Sequence, residues 1–258
     1  MTPEVMTAVM LGVMGLLVGS FLNVCIYRLP RDLSVALPAS HCPSCEQPLR
    51  WYHNVPVASW LALGGRCGFC RARIHWRYPL VELLNAGLWA LHGLLLPWEP
   101  LLIVRLAFAS ALVVLFFTDL DCRILPNEIT VGGTIVGLIT SALVFPPGLQ
   151  SALIGVLLGG GVLWATGAAY ERFRGAEGMG MGDVKMLAMI GAVLGWPLML
   201  LTLVGASVAG GLIGAILLAF KADPRTTALP FGSFLAPAGL AASLVGQQVL
   251  DWYLGFYR

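Results

Sequence analysis

Long apolar runs separated by short polar breaks set the pattern of this chain. Eight stretches qualify: 5–27, 80–97, 101–118, 128–146, 150–170, 184–202, 203–220 and 233–251. A membrane helix needs roughly 20 predominantly apolar residues, within a range of about 17–25. The pattern therefore predicts an all-α polytopic membrane protein with about eight transmembrane helices. Pro97-Trp98-Glu99-Pro100 and Pro146-Pro147-Gly148 read as connectors. The region 184–220 is ambiguous. Trp196-Pro197 reads as a kink there, with a tight turn between two helices expected near Thr202 to Gly205. Gly155, Gly159, Gly160 and Gly161, and later Gly205, Gly210, Gly211 and Gly214, suit close helix packing. The one long polar stretch, 28–79, divides the chain into a first transmembrane helix (1–27), a loop domain (28–79) and a membrane core (80–258).

Composition agrees with this reading. Of the 258 residues, 58% are hydrophobic and 11% charged, against about a quarter charged in soluble domains. A net charge of +2 is too small to imply a nucleic-acid partner. The first run carries Glu4, has no basic residue before Arg28 and lacks a small-x-small cleavage site, so it reads as a retained span. Placement of the cations is more informative. Arg28, Arg31, Arg50, Arg66, Arg71, Arg73, Arg77, Arg123, Arg172, Arg174, Lys185, Lys221 and Arg225 all fall on one side of an eight-span topology. By the positive-inside rule that side is the cytoplasm, and both termini are expected outside.

The loop 28–79 holds Cys42-Pro-Ser-Cys45 and Cys67-Gly-Phe-Cys70, two C-x2-C pairs 21 residues apart. That spacing suits a closed four-thiolate zinc site with a structural metal; a dithiol redox pair is the rival reading. A loop of this size can hardly fold on its own core, so a metal would supply much of its stability. Cys25 and Cys122 read as packing residues. His41, His53 and His75 flank the module as surface hydrogen-bonding groups.

Two acidic segments lie at the ends of apolar runs. One is Thr118-Asp119-Leu120-Asp121-Cys122-Arg123, with Pro126 following. The other is Gly178-Met179-Gly180-Met181-Gly182-Asp183-Val184-Lys185. Carboxylates at membrane-helix ends are expensive and invite a functional reading, the plain alternative being solvated boundary charges. The glycines of the second segment are expected to permit unusual dihedrals and close approach. Although 64 positions apart, Asp119 and Asp183 fall on the same cytoplasmic face of the expected topology. Two carboxylates brought together can share one proton, and so activate water while polarising a peptide carbonyl. The same pair would also suit a cation- or proton-coupled transporter with a structural zinc loop, or the chain could be a non-enzymatic membrane assembly factor. Asp119 stands four residues before Arg123 and so shares a helix face with it, whereas Asp121 points elsewhere. Glu82, early in the second span, is a candidate base or a structural tie to the loop. Asp32, Glu46, Glu171 and Glu177 read as solvated charges or as partners for a basic peptide; Met179, Met181, Met186 and Met189 read as helix packing or as the lining of an apolar groove.

Taken together, these segments resemble the type IV prepilin peptidases, the bifunctional leader peptidases and N-methyltransferases with a GxGD-type aspartyl site. Gly19-Ser20-Phe21-Leu22-Asn23-Val24 followed by Arg28-Leu29-Pro30 is similar to the family's opening signature. So are the paired C-x2-C motifs, Arg77-Tyr78-Pro79-Leu80-Val81-Glu82, Asp119 seven residues before Pro126, and Gly180-Met181-Gly182-Asp183 with Lys185. The likeness runs from about residue 15 to residue 235. Asn127 departs from it, since many members carry an acid there. The resemblance implies a bacterial inner-membrane enzyme whose core is 80–258, with Asp119 and Asp183 catalytic. Gly180, Gly182, Lys185, Arg123 and Glu82 would support them, and zinc would sit on Cys42, Cys45, Cys67 and Cys70. It further implies cleavage of prepilin or type II secretion pseudopilin leaders, then methylation of the new N-terminus with S-adenosylmethionine as donor. Membrane lipid is a partner on this reading, and the oligomeric state is left open.

Overall fold

The computed structural model describes residues 2–143, 146–175, 180–220 and 230–256. Glu177, Met179, Lys221 and Arg225 lie outside them. Among the described residues the chain is helical: α1 (Pro3–Arg28), α2 (Ala58–Ala62), α3 (Arg77–Leu95), α4 (Pro100–Cys122), α5 (Asn127–Ala142), α6 (Leu149–Arg174), α7 (Met181–Leu194), α8 (Trp196–Ala219) and α9 (Gly232–Gly255). Five of these, α1, α4, α6, α8 and α9, are long and apolar enough to cross a bilayer, making this a multi-pass membrane protein. The helices α3, α5 and α7 occupy the other three expected positions and are shorter or more polar. Two compact units divide the chain, Met1–Val114 and Leu115–Arg258.

In the first unit α1 and α3 pack along their lengths. A methyl group built on Gly15 would lie 2.9 Å from the Ala86 Cα, and one on Gly19 would lie 2.7 Å from the Glu82 Cα. The backbones therefore touch, by the small-residue logic of membrane helices. Asn23 Nδ2 reinforces the contact by donating to the Tyr78 carbonyl at 3.1 Å. A chain of hydrogen bonds runs through the buried polar groups of these helices: Asn85 donates to the Gly15 carbonyl at 2.8 Å and accepts from the Ser110 hydroxyl at 2.9 Å, which in turn accepts from Trp89 Nε1 at 3.0 Å.

The second unit is built around α7. From Met186 to Leu194 nearly every side chain of this helix is buried, on all faces, as expected for a helix that is apolar all round. Helix α5 meets it at Gly133 and Gly137, against Met189, Ala192 and Val193. Helix α6 meets it at Gly155 and Gly159, against Gly191 and Leu187. The glycine stripe of α6 thus packs as expected over half its length, while Gly161 faces open space. The α8 stripe does not: Gly205 and Gly210 make ordinary contact with α9, and Gly211 meets nothing.

The expected turn near Thr202 to Gly205 is corrected by the structure, where α8 runs through that region unbroken. The break falls at Gly195, which has φ of +81°. A Cβ there would lie 2.6 Å from Ser151 Oγ and 2.7 Å from Pro147 Cβ, so both conformation and space demand glycine. Trp196-Pro197 does not kink a helix; it opens α8, where the missing proline N–H has no helical partner to lose.

Candidate active site

Asp119 lies in the last turn of α4 and Asp183 in the first turn of α7, so the opposite polarities of the two helices bring both acids to one end. A third element meets them there, the start of α9. A methyl group built on Gly232 would lie 2.9 Å from Asp119 Oδ2 and 3.1 Å from Asp183 Oδ1. Those two oxygens are therefore no more than 6.0 Å apart, the sum of 2.9 and 3.1 Å. The backbone N–H of Ser233 donates to Asp119 Oδ2 at 2.6 Å. Asp119 is only 4% exposed. Asp183 Oδ1 is buried and makes no hydrogen bond among the described residues. A first-turn position favours an anion through the helix dipole, but burial beside a second carboxylate opposes joint ionisation. Gly232 and Ser233 are absent from the sequence reading. The only hint is the turn-like Pro230-Phe231-Gly232-Ser233 ahead of an apolar run, and nothing in it points to the acids.

The flanking residues take different places from those the spacing suggests. Helix α4 ends at Cys122, and Arg123 sits beyond it in the left-handed region with φ of +54°. Its backbone N–H donates to the Asp119 carbonyl at 3.0 Å. The i+4 relation is a helix-capping one, and it keeps the Arg123 charge within electrostatic reach of Asp119. Asp121 is exposed. Gly180 precedes α7 with an ordinary extended backbone, φ −67° and ψ 136°, so unusual dihedrals are not its reason. At Gly182 the reason is space: a Cβ there would lie 3.0 Å from Leu125 Cβ. Lys185 Nζ donates to Asn127 Oδ1 at 2.8 Å, tying the start of α7 to the start of α5. Ser207, Gly210 and Gly211 of α8, with Phe231 and Phe234 on either side of Gly232 and Ser233 in the chain, line an open groove of about 310 Å³.

In the first unit the four cysteines of the loop converge. The ligand atoms of Cys42, Cys45, Cys67 and Cys70 all lie within 4.8 Å of one another, and Cys42 Sγ is 3.8 Å from Cys70 Sγ. Tetrahedral Zn–S bonds of about 2.3 Å place sulfurs ~3.8 Å apart, so the donor set suits that ion. Each pair sits in a knuckle of the same build. Cys42 N–H donates to Gln47 O at 3.0 Å and Cys67 N–H to Ala72 O at 2.8 Å. Bridges His41–Pro48 and Arg66–Arg73 close the knuckles, with Glu46 and Arg71 at positive φ. The backbone N–H groups of Cys70 and Phe69 face Cys67 Sγ, an arrangement that suits a thiolate. His41, His53 and His75 stand outside the sulfur cluster. Glu82 Oε2 accepts the Val57 N–H at 2.7 Å and so ties the loop to α3. Arg28 fastens the start of the loop, donating to the Ser34 and Pro38 carbonyls at 2.8 and 2.7 Å. Of the candidate partners for a basic peptide, Asp32, Glu46 and Glu171 are exposed.

Comparison with known proteins agrees with these two halves. Residues 13–95 match the bacterial peptidase A24 N-terminal domain, and residues 106–215 match the type IV leader peptidase family. A protein of Stutzerimonas stutzeri named prepilin leader peptidase/N-methyltransferase is 38% identical, over 95% of this chain and 93% of its own length. Proteins of the same name from Pseudomonas putida and Pseudomonas aeruginosa are 39% and 36% identical, over 92% and 94% of this chain and 90% and 92% of their own lengths. No solved structure matches the chain. With both segments matched in order, and likeness sustained over more than nine-tenths of its length, the chain belongs to the type IV leader peptidase family.

Proposed function

We propose that the protein cleaves the leader peptide from prepilins or pseudopilins at the cytoplasmic face of the bacterial inner membrane, with Asp119 and Asp183 as the catalytic pair. One observation carries this reading: both carboxylates close on Gly232, within 6.0 Å of each other by the 2.9 and 3.1 Å contacts. In the resting pair one carboxyl is protonated and the other ionised. The ionised member takes a proton from water, and the protonated member hydrogen-bonds the scissile carbonyl as the water adds. The proton then passes to the departing amine, returning the pair to its starting state. A helix in lipid has its backbone bonded internally and resists attack. A pair at helix ends suits a bond at the membrane surface, where a substrate helix can unwind. The apolar groove beside Phe231 supports a seat for the side chain flanking the cut. A transporter finds no support in the relatives' names, and the pair lies at helix ends rather than at the midplane where coupling sites sit.

Zinc on Cys42, Cys45, Cys67 and Cys70 would act as a cross-link for a loop too small to fold on its own core. The N-methyltransferase activity in the relatives' names extends to this chain as a second, amine-directed step using S-adenosylmethionine. The decisive experiment is incubation of the purified protein with a prepilin. A shortened product is expected, and Asp119→Asn and Asp183→Asn should each abolish it in protein that still folds, while Asp121→Asn, exposed at the helix end, should retain part of the activity. Full cleavage by Asp183→Asn would remove that residue from the mechanism.

A further inference from the structure

The geometry points to Gly232 as a positioning residue, the point on the start of α9 against which the two carboxylates close. This rests on the aspartyl reading for its catalytic consequence, but its structural part stands alone. A Cβ at Gly232 would lie 2.9 Å from Asp119 Oδ2, 3.1 Å from Asp119 Cγ and 3.1 Å from Asp183 Oδ1. A Cβ atom essentially never lies within 3.0 Å of a heavy atom outside its own stretch of chain, so a methyl group must move something. Neither acid can yield freely. Asp119 is buried and held by the Ser233 N–H at 2.6 Å. Asp183 begins the most enclosed helix of the unit. One residue on α9 thus sets the gap between two acids on α4 and α7. Gly232 is itself buried, which makes it a wall of the site rather than part of its mouth.

A misplacement of about 1 Å between reacting groups can lower a rate by roughly 10²-fold. Gly232→Ala should therefore reduce kcat for prepilin cleavage by about 10²-fold with KM little changed, since the methyl group parts the acids without touching the groove. The pH profile should change as well. Carboxylates held apart interact less, so the two apparent ionisations of the pair move closer together. Gly161→Ala, where a Cβ meets nothing within 4 Å, serves as the matched control and should cleave as the parent does. A second measurement needs no activity. Thermal unfolding is compared for Gly232→Ala in the parent and in an Asp119→Ala/Asp183→Ala background, where the obstructing carboxylates are gone. The substitution should lower the midpoint in the parent and have little effect in the double variant. If Gly232→Ala fails to fold in the parent, recovery of folding in that background supports the assignment, and failure in both overturns it. The inference is also overturned by unchanged kcat, by a rise in KM alone, or by an equal loss of stability in both backgrounds, because the glycine would then serve only its helix. Should the parent protein cleave no prepilin, the proposed function fails, while the unfolding comparison still decides the place of Gly232.

Discussion

Substituting alanine for Gly155 should impair the enzyme without touching either aspartate. At the crossing of α6 and α7, a Cβ on Gly155 would lie 2.5 Å from the Gly191 carbonyl oxygen and 2.8 Å from its carbon. Ordinary contact begins at 3.4 Å, so the two backbones must part by 0.9 Å, the difference between 3.4 and 2.5 Å. No flexible side chain can absorb that, because backbone meets backbone. Overpacking of this kind costs about 1–3 kcal/mol. The better helix propensity of alanine offsets about 1 kcal/mol of it, leaving a net loss of up to about 2 kcal/mol. The functional effect should be larger. Helix α7 is enclosed and moves as a body, and it carries Asp183 about two turns ahead of Gly191. A displacement near 1 Å at the acid is expected to lower kcat by about 10²-fold. Prepilin cleavage rates and thermal unfolding of the purified protein would be measured for Gly155→Ala beside Gly161→Ala, which makes the same chemical change where there is room. Gly161→Ala should match or exceed the parent in stability. A Gly155→Ala protein with the parent's kcat would refute the claim that α6 sets the position of Asp183.

The cysteine loop should carry one zinc per chain, and Cys→Ser at position 42, 45, 67 or 70 should lower zinc content and protease resistance of the loop together; metal analysis finding no zinc in the parent would revive the dithiol reading. At Glu82, alanine removes the acceptor of the Val57 N–H, a charged hydrogen bond worth about 1.5–3 kcal/mol, and hydrogen exchange in the loop should rise. Glutamine keeps an acceptor oxygen and should protect most of that order. Mass spectrometry of pilin N-termini then separates two roles for Glu82: methylation lost in Glu82→Gln with the loop still ordered marks the carboxylate as a base, and methylation retained marks it as a tie.

Much of this protein is legible along the chain, because a bilayer imposes simple rules. Apolar length reveals helices, since lipid satisfies no backbone groups. Motifs carried by neighbouring residues are equally plain: two C-x2-C pairs specify two knuckles, because the backbone hydrogen bonds that close them, Cys42 to Gln47 and Cys67 to Ala72, are local. Acids at the ends of apolar runs mark themselves through the expense of placing them there. The sequence thus determined the helical membrane class, the cysteine cluster and the two aspartates worth bringing together. What it left undecided are contacts between distant segments. Nothing local distinguishes Gly155, which abuts Gly191, from Gly161, which faces open space, since the difference lies in which neighbour each face meets. The boundary at Gly195 stayed hidden for the same reason, its glycine being demanded by Ser151 and Pro147 from another part of the chain. Gly232 is the sharpest instance. Its role depends on two side chains that start 113 and 49 positions away, as the numbers 119, 183 and 232 give. Only packing of α4, α7 and α9 brings them within reach of one missing methyl group.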